Sequence, residues 1–370
     1  MSLSMMRLIH FYVGILMAAH CMAGEPTAIE LEDPTEKLLL RDAFVVSADG
    51  SFVAGTASIE GKPGRFAYRW SRDGVHLIGD LPGGEVLAIP HGISKDGLVV
   101  VGYSSSAAGT QAFGWTEKSG MIGLGDFEGG EYESQAKGVS ADGKVIVGYG
   151  TAEGAGSDRR HGDAFMWTPQ RKMEVLPGIE PFRDTMWAED VSADGSTVVG
   201  KGSNAEVNSE AFLWKQGEMV GLGSLLSGRI DFYSEAIAVS GDGSTVVGNS
   251  GHGNGQREVF IWTRKTGIKP LDKLEGEKRS NAIDVSDNGR VLGTCELGGS
   301  TVIFLWDEKG GKVPLDEKMK QLGFDMTGAS AVRLSHASAI STDGRYIVGN
   351  GVGYTAGKSR SAAYMIDLGE

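Results

Sequence analysis

The sequence predicts an all-β fold, a single seven-bladed β-propeller of four-stranded antiparallel blades, from three observations. A ten-residue motif of the type VSADGSTVVG occurs seven times, at intervals of 46 to 55 residues. A second motif, Ala-Phe-x-Trp or a close variant, follows each copy. The two ends of the repeat array complement one another, as closure of a ring requires. Repeats of this length are typical of propellers and solenoids.

The ten-residue motif predicts two strands joined by a tight turn. Its Asp-Gly pair favours a two-residue hairpin in which both central residues have positive φ. The β-branched run after the turn, such as KVIV at 144–147, predicts the second strand. The sixth copy is one residue short, so we expect an irregular blade there, in which a bulge or a slipped turn absorbs the missing residue. The copies start at Val46, Ile93, Val139, Val191, Val239, Val285 and Ile340.

The Ala-Phe-x-Trp motif predicts the third strand, and a Met-x-x-Leu segment such as MIGLGD at 121–126 predicts the fourth. The fixed position of the Trp residues favours packing between blades, with ligand stacking as the alternative. A short helix is expected at 317–322 (EKMKQL). The Trp residues in this register are Trp70, Trp115, Trp167, Trp214, Trp262 and Trp306.

The last repeat predicts how the ring closes. It stops after its third strand, AYMIDL at 363–368, and lacks a fourth. The segment TAIELED at 27–33 resembles the missing strand. The two ends would then share one blade and leave no open sheet edge.

The sequence predicts an export signal at residues 1–23, followed by the propeller over residues 24–370. Arg7 precedes an apolar run at 8–19 that is shorter than the ~20 residues of a membrane span. An uncleaved anchor and lipidation of Cys21 are the alternatives. We therefore expect a periplasmic or extracellular protein. After cleavage only Cys295 remains, which leaves no intrachain disulfide.

The charge balance excludes several partners. With 35 Lys and Arg against 48 Asp and Glu, the chain carries a formal charge of −13 and repels nucleic acid and anionic membranes. No later segment is long and apolar enough to span a membrane. The expected protein is a monomer.

The two motifs together resemble the HAF-type extracellular repeats, from about Ala43 to Leu368. The family triplet reads Gln111-Ala112-Phe113, Asp163-Ala164-Phe165 and Glu210-Ala211-Phe212, without its leading His. The resemblance implies an exported bacterial β-propeller and brings no catalytic residues with it. The Ser-x-Asp-Gly turn also resembles the repeats of TolB-type propellers.

Motifs with specific chemistry are scarce. One carboxylate per Asp-Gly turn does not supply the six to eight oxygens that calcium takes, so the turn interpretation is favoured over a ring of calcium sites. The glycine-rich loops open no helix, and the five His residues after the signal form no metal-ligand pair. The sequence therefore predicts no metal, no cofactor and no assigned catalytic residue.

The variable loops, on the face opposite the Asp-Gly turns, are where a site is expected. The predicted function is a non-enzymatic module that binds a glycan or a protein there, with a secreted hydrolase or lyase acting on polysaccharide as the alternative. An enzyme would need His91, Lys137, Glu189, Asp190 and Asp284 to gather at the axis. The predicted binding residues are Trp187, Arg183, Tyr233, Arg229, Tyr132 and His91.

Overall fold

The computed structural model confirms an all-β chain. It describes residues 24–152, 162–176, 185–203, 209–226, 233–251, 257–326, 333–355 and 358–369. These residues form 28 strands in five sheets and one helix, α1 (Leu315–Gln321), which overlaps the segment 317–322 where the sequence predicts it. No helix among them is long and apolar enough to cross a bilayer. The predicted signal segment lies outside the described residues.

Four sheets have four antiparallel strands each, as predicted. Three of them are built from consecutive strands, and the fourth combines the two ends of the chain. The consecutive sheets are β14 Thr185–Val191, β15 Thr197–Ser203, β16 Glu210–Lys215 and β17 Glu218–Gly223; β18 Ser234–Val239, β19 Thr245–Gly251, β20 Arg257–Thr263 and β21 Gly267–Pro270; and β22 Ser280–Val285, β23 Val291–Leu297, β24 Ser300–Asp307 and β25 Gly311–Pro314.

The remaining sheet has twelve strands, because three four-stranded units are linked side by side. The third strand of one unit meets the first strand of the next in a single parallel pair, at Arg65 with Leu87 and at Thr110 with Glu133. Its strands are β2 Leu38–Val46, β3 Val53–Ile59, β4 Lys62–Ser71, β5 Gly74–Gly79, β6 Gly83–Ile93, β7 Val99–Ser106, β8 Gly109–Thr116, β9 Gly120–Gly125, β10 Gly129–Val139, β11 Ile146–Ala152, β12 Asp163–Thr168 and β13 Lys172–Val175.

The two ends of the chain share one sheet, which confirms the predicted pairing. Its strands follow the order β1 (Thr27–Glu30), β28 (Lys358–Asp367), β27 (Tyr346–Thr355) and β26 (Arg333–Ile340). Strand β1 lies antiparallel to β28, and the backbone N–H of Leu31 donates to the carbonyl of Ala363 at 2.8 Å. The N-terminal segment therefore supplies the fourth strand that the last repeat lacks.

The Asp-Gly turn is longer than the predicted two-residue hairpin, and only its glycine has positive φ. In the third copy, the N–H of Gly143 (φ 71°) donates to the Ser140 carbonyl at 2.9 Å. The Ser140 hydroxyl donates to the Asp142 carboxylate at 2.8 Å and accepts from the N–H of Val145 at 3.0 Å. The carboxylate also accepts from the N–H of Lys144 at 3.1 Å. The Asp side chain is thus bound within its own turn, which is why the motif needs Ser two residues before it.

The turns of successive repeats are also joined to one another. The residue before the turn Asp (before Asn288 in the sixth copy) donates its backbone N–H to the carbonyl of the equivalent residue in the next turn. These pairs are Ala48 to Lys95 at 3.2 Å, Lys95 to Ala141 at 3.2 Å, Ala141 to Ala193 at 2.9 Å, Ala193 to Gly241 at 2.9 Å and Asp287 to Thr342 at 2.8 Å. Between Gly241 and the sixth copy, the Asp287 carboxylate accepts instead, at 2.6 Å.

The expectation of an irregular sixth blade was wrong for the strand pairing, and of its two alternatives the structure shows the change in the turn. Leu292 pairs with Asp284 and Val291 with Val285, in the same register as the other copies. The missing residue is absorbed in the turn, where the N–H of Ser286 donates to the Arg290 carbonyl at 3.0 Å. A shorter turn preserves the faces of both strands, whereas a deletion within a strand would reverse them.

The core lies between neighbouring sheets. One cluster joins Val101, Ala112 and Leu124 of one four-stranded unit to Phe165 and Trp167 of the next. The Phe of the second motif is fully buried in five repeats. All six in-register Trp residues belong to such clusters, and Ile366 occupies the Trp position of the last repeat. Packing between sheets, not ligand stacking, therefore accounts for this motif.

Candidate active site

A cavity of about 250 Å³ is surrounded by one strand from every repeat. Each of these strands contributes the last three residues before the Ser of its turn, and the turns lie at one end of the cavity. We call this space the central cavity. The residues that enclose it in successive repeats are 44–46, 91–93, 137–139, 189–191, 237–239, 283–285 and 338–340.

A β-bulge in each of these strands presents one side chain to the central cavity. In β10 the pairing with β11 shifts between Ala136 and Gly138, so Lys137 has no partner in the ladder. The same shift occurs in the other six strands. A bulge re-aims a side chain, and such irregularities are frequent beside active sites. The bulge residues are Phe44, His91, Lys137, Glu189, Ile237, Ile283 and Ser338.

Three successive bulge residues are ionisable. Burial, and then the nearby Lys137 ammonium, lower the pKa of His91 to about 3, so its imidazole is neutral at neutral pH. Burial also lowers the pKa of Lys137, with Glu189 acting in the opposite sense. Burial raises the pKa of Glu189 against the effect of Lys137 and Lys201. One side of the cavity therefore combines a proton acceptor with a carboxyl group that holds its proton more tightly than usual.

Asp190 and Asp284 also line the cavity, but their carboxylates hold neighbouring strands together. Asp190 accepts the N–H of Val191 at 2.7 Å and that of Val239, in the next repeat, at 2.9 Å. Asp284 accepts from Val285 at 2.7 Å and from Ile340, again in the next repeat, at 3.0 Å. All five residues that the enzyme alternative needed at the axis line the cavity. Two of them, Asp190 and Asp284, hold neighbouring strands together.

Beyond the bulges, away from the turns, a belt of paired residues surrounds the mouth of the cavity. Each pair joins the residue two positions before the bulge to the residue that follows the last Gly of the ten-residue motif. We call this set the mouth belt. Its pairs are Asp42 with Thr56, Ile89 with Tyr103, Gln135 with Tyr149, Trp187 with Lys201, Glu235 with Asn249, Asn281 with Thr294 and His336 with Asn350.

Side chains of the mouth belt contact the next repeat. The ring of Tyr149 lies 5.4 Å from that of Trp187, and Lys201 Nζ lies 4.4 Å above the Trp187 ring and 3.2 Å from Glu235 Oε2. Asn350 Nδ2 donates to Asp42 Oδ1 at 2.7 Å. The belt therefore links the sheets as well as lining the mouth.

Glu235 is the most heavily bonded carboxylate of the belt. Lys201 and Asn249 Nδ2 donate to it at 3.2 and 3.1 Å, and Arg257 Nη1 lies 3.9 Å away. Burial alone would raise the pKa of Glu235, but these donors and the Tyr233 hydroxyl hold it below its ordinary value. Glu235 is thus an anion that fixes the positions of its neighbours.

The residues predicted for binding fall into three groups. His91 lines the central cavity. Trp187 is half-buried in the mouth belt, and Tyr233 lies beside it, with Arg257 4.8 Å above its ring. Tyr132 is half-buried near Asp126, whose charge adds to burial in raising the pKa of the Tyr132 hydroxyl. Arg183 and Arg229 lie outside the described residues. The binding role of all six stays a prediction.

Sequence reasoning missed Tyr149 and Lys201 because it considered the second strand only as packing. The signal was present, since the residue after the last Gly of the motif is polar or aromatic in every copy. Among the described residues, no group of three or more His, Cys, Asp and Glu side chains is placed to hold a metal ion.

Comparison with solved structures shows the fold. The chain is similar to the β-propeller domain of the Trilobed protease from Pyrococcus furiosus, with a TM-score of 0.55 and 12% identity over 90% of this chain and 96% of that one. It is also similar to an oligogalacturonate lyase from Vibrio parahaemolyticus, with a TM-score of 0.59 and 12% identity over 93% and 98% of the two chains. The fold is therefore a β-propeller of mostly four-stranded antiparallel sheets.

A third similar structure is a prolyl endopeptidase, with a TM-score of 0.58 and 13% identity over 89% of this chain but only 50% of that one. No family model and no curated protein matches the sequence. The HAF-type relationship is therefore not confirmed, and at this level of identity the likeness shows the fold alone.

The comparisons correct the predicted function. These neighbours are a lyase, an endopeptidase and a domain of a protease, so the prediction of a non-enzymatic binding module is contradicted. Sequence reasoning preferred a binder because it could not place the ionisable residues around one cavity.

Proposed function

We propose that the chain is an enzyme that cleaves polysaccharide, by hydrolysis or by elimination, at the mouth of the central cavity. The observation that carries this proposal is the row of three ionisable bulge residues, His91, Lys137 and Glu189, on successive strands. The oligogalacturonate lyase supports a carbohydrate substrate, since this chain spans 98% of it, whereas it spans half of the endopeptidase.

Both reactions need the same two proton transfers. The departing glycosidic oxygen must gain a proton, and either water or a sugar carbon must lose one. Glu189, whose pKa burial raises, is the proposed donor. Lys137, whose pKa burial lowers, is the proposed acceptor, and the neutral imidazole of His91 lies near it. The rings of Trp187 and Tyr149, which pack against each other at the mouth, provide an aromatic wall beside this site.

The architecture that we propose is seven blades over residues 24–370, after an export signal at 1–23. Seven motif copies and a cavity enclosed by seven strands support the blade count. The apolar run at 8–19 supports export to the periplasm or the medium.

The test is to incubate the protein with polygalacturonate, alginate, xylan and chitin while measuring new reducing ends and the ultraviolet absorbance of unsaturated products. Reducing ends alone indicate hydrolysis, and absorbance indicates elimination. Glu189→Gln should lower kcat at least about a hundredfold, as loss of a general acid does. Glu317→Gln, on the exposed side of α1, is the control and should retain full activity. Full activity of Glu189→Gln, or no cleavage of any polysaccharide, would contradict the proposal.

A further inference from the structure

A second cavity, of about 300 Å³, lies between the sheet of β18–β21 and the sheet of β22–β25. We call it the side cavity. Two arginines from the two sheets face a largely polar lining. The residues that line it are Arg257, Arg279, Asn281, Thr294, Cys295, Glu296 and Thr301.

The charge of the side cavity is opposite to that of the chain. The protein has a formal charge of −13, yet this lining contains two guanidinium groups and one carboxylate. Arg279 Nε lies 2.8 Å from Glu296 Oε2, which fixes the side chain. A guanidinium has five N–H donors, so this single contact does not exhaust them. Arg257 is half exposed, at 50% of its side-chain surface. Planar guanidinium groups suit the bidentate binding of carboxylate and sulfate.

The side cavity borders the mouth belt. Asn281 and Thr294 form one pair of the mouth belt. Arg257 lies 4.8 Å above the ring of Tyr233 and 3.9 Å from Glu235, which is held by Lys201. A chain-like ligand that crosses the belt can therefore place one residue at the central cavity and another at the side cavity.

We propose that the side cavity is an anion subsite, in which Arg257 and Arg279 bind the carboxylate or sulfate ester of an acidic sugar. The inference rests on the proposed function, because it assigns the anion to the same saccharide that is cleaved at the central cavity. Asn281 and Thr294 provide the polar side chains for the hydroxyl groups of that sugar.

The test measures binding, by calorimetry, to the full chain carrying Glu189→Gln so that the ligand stays intact. The probes are trigalacturonate, its methyl ester, a sulfated trisaccharide and maltotriose. An acidic trisaccharide should bind at least about tenfold more tightly than the ester and maltotriose, because hydrogen bonds between charged groups are worth more than one factor of ten. Whichever of the two acidic probes binds more tightly shows whether the subsite prefers a carboxylate or a sulfate.

Arg279→Gln should weaken binding of the acidic probe about tenfold and leave maltotriose unchanged. The matched control is Lys278→Gln, since Lys278 lies 3.7 Å from the same Glu296 but does not line the cavity. Three results would overturn the subsite proposal. They are equal affinity for the acid and its ester, an affinity of Arg279→Gln for the acidic probe that equals that of the chain without this change, and no saturable binding of either acidic probe at millimolar concentration. Cleavage is assayed separately on the unmodified chain, so failure of the proposed activity leaves this result readable.

Discussion

Gly102→Ala should destabilise the protein strongly, because a backbone carbonyl occupies the space of the added methyl group. Gly102 ends the second copy of the ten-residue motif and is buried in β7, opposite Pro90, the residue before the bulge of β6. A Cβ at this position would lie 2.9 Å from the Ile89 carbonyl carbon and 3.0 Å from Pro90 Cα, and closer still to the Ile89 oxygen. Neither neighbour is a flexible side chain, so one of the two innermost strands must move.

The expected loss is at least about 3 kcal/mol of the free energy of unfolding, the upper end of the range for overpacking a core. Gly114→Ala is the matched control, in the next strand of the same sheet. Its Cβ would lie 3.5 Å from Leu124 and 3.7 Å from Ile146, which are ordinary contacts. That change should be neutral or stabilise by a few tenths of a kcal/mol, since alanine lowers the entropy of the unfolded chain.

Urea unfolding followed by tryptophan fluorescence provides the measurement, and the two variants should differ by at least about 3 kcal/mol. Gly200→Ala, which meets the carbonyl of Trp187 in the same way, should reproduce the loss in another repeat. If Gly102→Ala unfolds at the same urea concentration as Gly114→Ala, the motif glycine is not required by the bulge, and our explanation of the repeat is wrong.

Two further predictions concern buried charge. Burial raises the pKa of Asp190 to about 7 and that of Asp284 to about 6, from 3.8. The stability that these two groups contribute is therefore present below about pH 4 and is lost as the pH rises through the raised pKa values. Asp190→Asn should flatten the calorimetric profile of Tm against pH between about pH 4 and pH 7, and an unchanged slope would contradict this. Lys312 forms a fully buried ion pair with Glu277 at 2.8 Å. Lys312→Met should lower the free energy of unfolding by about 3–5 kcal/mol in urea titrations, because it leaves the Glu277 carboxylate buried without its partner, and adding Glu277→Gln should restore most of that loss. A double variant that is no more stable than Lys312→Met alone would refute the pairing argument.

The sequence predicts the sheets well because each strand is specified by local patterns. Asp142 and Gly143 indicate a turn, and Phe165 and Trp167 share a face that must be buried. The site is harder to predict, since it depends on bulges that no local pattern marks. Lys137 reaches the cavity only because it is skipped in the ladder, and Asp190 looks like a catalytic residue until its two backbone donors are seen. Ionisable side chains from separate repeats converge through ring geometry, which a linear reading does not measure.

The pairing of β1 with β28 also constrains the order in which the molecule can fold. Residues 27–30 are among the first of the described chain to be synthesised, but their partners are residues 364–367. Contacts of such sequence separation form late, because the entropy of closing the loop must be overcome first. Until then β28 presents an unpaired edge to any neighbouring strand. The last step of folding is therefore the one that removes the template for aggregation, and a refolding experiment should find association greatest just before the N-terminal strand docks.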